Sequence, residues 1–192
     1  TGNTAYEISS LSFGYDQSNI TSTDVAEILT ALCIDNHWSA LGRIASRVGI
    51  GVVDLKSFFN NAAARRHIAA HQASADIETT DLINYGYGVV GLAMAFDLLI
   101  SRALRIILDA NREYLTQKKK ISGNHISIRF LTYDGKKWWR ETVDDKTRAL
   151  KRDDDIIKIK ADCIVRARLN GQAVVLKGDK GFPEEWFTPD ID

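Results

Sequence analysis

The apolar residues of this chain change their period once, near residue 120. Before that point they recur at helical spacing; after it they alternate. Val25, Ile28, Leu29, Leu32 and Cys33 mark one helix face, and Leu41, Ile44, Ala45 and Val48 a second. Leu55, Phe58 and Phe59 open a third helical stretch, which runs through Ala62-Ala63-Ala64. Beyond the change, His125-Ile126-Ser127-Ile128-Arg129-Phe130 alternates and Tyr133-Asp134-Gly135-Lys136 reads as a turn. The expected fold class is α+β: an all-α bundle over 21–120, then a small antiparallel β-rich domain, a sheet or open barrel, over 121–192. Residues 1–20 lack a regular pattern and are expected to form an arm.

Local signals place the elements. Thr23 or Asp24 is expected to cap the first helix, and Thr80 or Asp81 the longest, which should reach about Tyr114. His37-Trp38 is read as loop. Gly86, Gly88 and Gly91 are unusual inside a helix, since each weakens it relative to Ala. Close approach of another helix, possible across a dimer, would account for them, and a kink is the alternative. They form no phosphate-binding fingerprint. Asp97, Arg102, Arg105 and Asp109 are expected to pair along the helix surface. In the second half, strands are expected over 137–143, 155–161, 163–169 and 173–177. Asn170-Gly171 is a hairpin signal between the last two.

Composition narrows the function classes. Lys and Arg number 25, as do Asp and Glu, so the net charge is zero. A broad cationic field for nucleic acid is absent, which leaves room only for a local cationic site. Cys33 and Cys163 fit no metal-ligand spacing and are expected to be buried thiols in a reducing cytoplasm. Asp153-Asp154-Asp155 reads as a solvated acidic turn, since three consecutive carboxylates do not converge. No metal and no cofactor are expected. Residues 82–100 are apolar, but Asn84 and Asp97 interrupt them, so no membrane span is expected. The chain starts at Thr1 without a signal-peptide pattern, as a fragment or processed product would.

One segment carries chemistry. In Arg65-Arg66-His67-Ile68-Ala69-Ala70-His71, Arg66 and His71 stand five positions apart. In a helix or turn both are expected to reach one side of the backbone. Arg offers a planar cationic fork for phosphate oxygens, and His exchanges a proton near neutral pH. The pair can act on a phosphodiester without metal. A surface Arg and a hydrogen-bonded His at a helix end is the plain reading of the same residues.

The order of helices around this segment, with Arg66, a polar His67 and then His71, resembles the HEPN superfamily. The branch it is most similar to is the RiboL-PSP type, in which an Arg-His-x-Ala-Ala-His segment precedes a long helix. The likeness covers about residues 20–117. It implies a metal-independent endoribonuclease acting on single-stranded RNA. Arg66 would bind the scissile phosphate, His71 would act as acid or base, and His67 would orient the site. Arg65 is a further candidate for RNA binding. The imidazole of His67 departs from the Asn or Asp often found at that place. A homodimer with facing motifs is also implied. HEPN-like domains include non-catalytic members, so the other implied reading is an interaction or RNA-binding module of a larger defence or stress-response protein.

In the β-rich half, Lys136-Lys137-Trp138-Trp139-Arg140 can bind single-stranded nucleic acid by charge and stacking, with Lys137 and Arg140 on phosphates. Trp residues packed into and across the sheet are the structural alternative. Lys118-Lys119-Lys120 reads as a solvated helix end or the extension of an RNA path.

Overall fold

A computed structural model describes residues 20–51, 54–71, 78–144 and 146–189, the side chains at 67, 69–71, 79, 81 and 82 excepted. The arm expected over 1–20 lies, apart from Ile20, outside the described residues.

Among the described residues five helices come first: α1 (Ser22–Ala31), α2 (His37–Arg47), α3 (Leu55–His71), α4 (Thr79–Leu108) and α5 (Arg112–Leu115). The cap of α1 is Thr21, upstream of the expected position. Its hydroxyl accepts from the Asp24 N–H at 3.2 Å, and Asp24 accepts from the Thr21 N–H at 2.6 Å, a capping box. His37-Trp38 is the first turn of α2 and not loop. The Thr30 hydroxyl donates to the Ala26 carbonyl, so it accepts from His37 Nε2 at 2.9 Å. The long helix starts at Thr79 after Glu78, and stops at Leu108 instead of running on to Tyr114. Ala110 takes a positive φ of 50°, which breaks the helical ladder, and Asn111 caps α5 by accepting from the Tyr114 N–H.

The second half is a mixed sheet carrying a helix. After a short 3-10 turn (Gly123–His125) come β1 (Ile128–Tyr133), β2 (Trp139–Val143), β3 (Lys151–Asp153), α6 (Ile156–Asn170), β4 (Ala173–Lys177) and β5 (Pro183–Phe187). The strand order is β3-β2-β1-β4-β5, and β1 pairs β4 in parallel. The expectation of an antiparallel sheet or open barrel is thereby corrected. Parallel neighbours need a crossover, and α6 lies within it.

The two strands expected over 155–169 are α6. Ile156-Ile157-Lys158-Ile159-Lys160 looks alternating, yet the residues that bury are Ile159, Cys163 and Ala167, at helical spacing. Ile157, Val165 and Leu169 are exposed apolar residues that blur this pattern. Asp155 caps the helix by accepting from the N–H groups of Ile157 and Lys158. Gly171, expected in a hairpin, instead ends α6 in the left-handed region at φ 59°.

The sheet is covered on both faces. Leu131, Val174 and Leu176 pack on Ile159, Cys163 and Ala167 of α6. Ile128, Phe130, Ala173 and Val175 join Leu41 and Ile44 of α2 and Met94, Leu98 and Leu99 of α4 in one core. The core therefore runs across residue 120, where the change of period suggests a domain boundary. Trp186 of β5 donates its indole N–H to Asp97 of α4 at 2.8 Å, and Arg47 of α2 meets Asp144 at 2.6 Å.

Two of the three helix glycines do permit close approach, within this chain. A Cβ on Gly88 would collide with the Phe58 ring, and one on Gly91 with Ile50. Nothing lies within 4 Å of a Cβ on Gly86. Among the described residues no helix is long and apolar enough to cross a membrane.

Candidate functional site

The whole Arg65–His71 segment is helical and forms the last turns of α3. At 3.6 residues per turn, positions 66 and 71 lie roughly 140° apart around the axis, and positions 67 and 71 roughly 40° apart. Position 71 thus shares a helix face with 67 rather than with 66. Arg65 and Arg66 are exposed. The Arg65 guanidinium sits over the Tyr85 ring of α4, 5.1 Å from its centroid, and Tyr85 in turn meets Phe58 of α3 at 5.3 Å. Aromatic packing therefore braces the basic end of α3 against α4. The side chains of His67 and His71 lie outside the described residues, as do residues 72–77 between this segment and α4.

In the sheet, Asp134 shapes the β1–β2 turn. Its Oδ1 accepts from the N–H groups of Lys136, Lys137 and Trp138, each at 3.0 Å, and these bonds hold its carboxyl below the usual carboxylate range. Lys137 is exposed, lies 4.8 Å from the Trp138 ring centroid and stands 3.8 Å from Asp154. Arg140 is half-buried on β2, and its Nε makes no hydrogen bond among the described residues. The register brings Arg140 opposite Arg152 of β3 and Thr132 of β1, which in turn faces Lys177 of β4. Side chains in register share a face. A row Arg152–Arg140–Thr132–Lys177 thus crosses four strands. Burial pushes the Lys177 ammonium below the ordinary lysine value, and it lies over the Phe130 ring. Arg152 and Lys177 escape notice in the sequence because they are far from Arg140 along the chain and only pairing aligns them.

A second polar cluster lies where α4 meets the start of β1 and the α6–β4 turn. Its walls include Ser101, Arg102, Arg105, His125, Ser127, Gln172 and Thr188. Of the row of ion pairs expected on α4, Arg105 and Asp109 pair, at 3.1 Å. Asp97 serves Trp186 instead. Arg102 has a buried Nε that makes no hydrogen bond among the described residues.

Comparison with protein families, with curated proteins and with solved structures finds no match.

Other sequence candidates have structural settings. Asp153 accepts from Lys158 at 2.8 Å and from the Asp155 N–H, and these contacts hold its carboxyl low. Among the described residues no group of three His, Cys, Asp or Glu converges as metal ligands would. Lys120 pairs with Asp35 at 3.3 Å, both exposed. Cys163 is fully buried beside Glu141, and burial first, then that carboxylate, pushes its thiol up to about 12. It is inert as a nucleophile.

Proposed function

We propose that the chain is a metal-independent endoribonuclease for single-stranded RNA, with Arg66 and His71 as its catalytic pair. The observation that carries this reading is the placement of the resembling segment. Arg65 and Arg66 stand exposed towards the end of a helix braced by the Arg65–Tyr85 contact.

In this reading Arg66 holds the non-bridging oxygens of the scissile phosphate. The ribose 2′-oxygen attacks phosphorus, and the bond to the 5′-oxygen breaks. His71 takes the proton from the 2′-hydroxyl or gives one to the leaving oxygen. The products are a 2′,3′-cyclic phosphate and a 5′-hydroxyl end. His67, one turn from position 71, positions the imidazole or adds a polar contact. The separation of positions 66 and 71 around the helix favours a composite site, in which a second copy supplies the complementary group. A two-fold dimer through the helical half would do this. The row from Arg152 to Lys177, with Lys137 and Trp138 at the β1–β2 turn, would give the RNA a second footing.

Cleavage of a short RNA in excess chelator tests the reading, with the cyclic phosphate end identified. His71→Ala should abolish cleavage while leaving the circular dichroism spectrum unchanged. Undiminished cleavage by that variant rules His71 out. A protein that binds RNA but never cuts it would be the non-catalytic module instead.

A further inference from the structure

We propose that the cleft between α4 and the start of β1 binds a phosphate-type oxyanion, with Arg102 as its central cation and His125 as a second donor. The strongest sign is Arg102 itself. A guanidinium is always charged and carries five N–H donors. Its Nε is buried and meets no acceptor among the described residues. Buried donors without a partner are rare in folded proteins, and this one belongs to a cation that lines the cleft, which points to an anionic guest there. The acceptor that matches a planar cationic fork is an anion with adjacent oxygens.

The cleft walls suit such a guest. They contain hydroxyls, an amide, an imidazole and guanidinium groups and, among the described residues, no carboxylate. The His125 ring and the Gln172 amide are held in place before any ligand arrives. The Ser122 N–H donates to His125 Nδ1 at 3.0 Å, so the proton of the neutral ring sits on Nε2, which is left as a donor. Arg129 Nε donates to Gln172 Oε1 at 2.5 Å, Gln172 Nε2 donates to Ser127 Oγ at 2.8 Å, and Ser127 donates to Asp144 at 3.0 Å. This chain fixes the orientation of the Gln172 amide. Arg105 is engaged with Asp109, so it adds charge at the rim and no part of the inference needs its fork.

Size limits the guest. The cleft is half open and its inner volume to a water-sized probe is about 30 Å³, which suits a compact head group and leaves any ring or sugar at the open side. The site is also remote from the basic end of α3. Tyr85, under Arg65, and Arg102 are separated along α4 by roughly 25 Å at 1.5 Å per residue. The inference therefore stands independently of the ribonuclease reading.

Titration of the full chain with inorganic phosphate and with adenosine 5′-monophosphate, by calorimetry at constant ionic strength, tests it. Saturable binding of at least one is expected, and Arg102→Gln should weaken it about tenfold or more, as for a lost charge-assisted pair. His125→Gln should weaken it less. Tighter binding of the monophosphate would identify a phosphomonoester as the ligand, and tighter binding of phosphate the free ion; either supports the site. If Arg102→Gln unfolds, Arg102→Lys carries the test, since it keeps the charge and loses the fork. No saturable binding by the unaltered protein, or unchanged affinity in the folded Arg102 variant, overturns the proposal.

Discussion

Arg129 Nη1 donates to Glu141 Oε1 at 2.5 Å across the β1–β2 pair, and the carboxylate is wholly screened from water. Arg166 of α6 donates to the same carboxylate from Nε and Nη2. One buried anion thus ties two strands and the covering helix together. Removing it strands Arg129, which is itself buried. Glu141→Ala is expected to lower stability by about 3–5 kcal/mol. Urea unfolding measures this, and a loss of a few tenths would mean that the cluster is hydrated.

Cys163 gives a pH dependence with a definite sign. Its thiol is raised from 9.0 to about 12 in the folded chain. The folded state thus keeps its proton where the unfolded state loses it. The associated stability is fully present below pH 9 and declines as pH rises from there towards about 12. Cys163→Ala should flatten that decline in unfolding curves taken across the range. An alkylating reagent at pH 8 should likewise spare Cys163 until the chain unfolds.

The three glycines of α4 should respond differently to a methyl group. Gly88→Ala and Gly91→Ala push into Phe58 and Ile50, and overpacking of this kind costs about 1–3 kcal/mol. Gly86→Ala meets open space and should stabilise by up to about 1 kcal/mol through helix propensity. Thermal midpoints of the three variants decide it. Equal effects at all three would argue against the packing of Phe58 and Ile50 on α4 described above.

The row across the sheet predicts a salt dependence. If RNA phosphates lie along it, Arg140→Gln and Arg152→Gln should each lower the slope of log affinity against log salt by about 0.7. Binding should also weaken at low salt. An unchanged slope in both would assign the row to the fold or to a protein partner.

Much of the helical half was legible because its burial is one-sided. The faces through Leu29, Leu41, Ile44 and Leu55 bury as their spacing predicts, and α3 runs through the Arg-His segment. The Arg65-Arg66 pair of that segment is exposed, as two charged residues at a helix end are expected to be. Tertiary contacts decided the rest. Residues 156–170 read as strands because Ile157, Val165 and Leu169 are apolar yet exposed, and only docking on the sheet selects the face of Ile159, Cys163 and Ala167. The parallel pairing of β1 with β4 joins segments with a helix between them, and no local signal records that partnership. For the same reason Arg152, Lys177, Arg102 and His125 gain their settings from pairing and packing. A side chain's local pattern specifies which face it prefers, whereas its neighbours across the fold determine what that face meets.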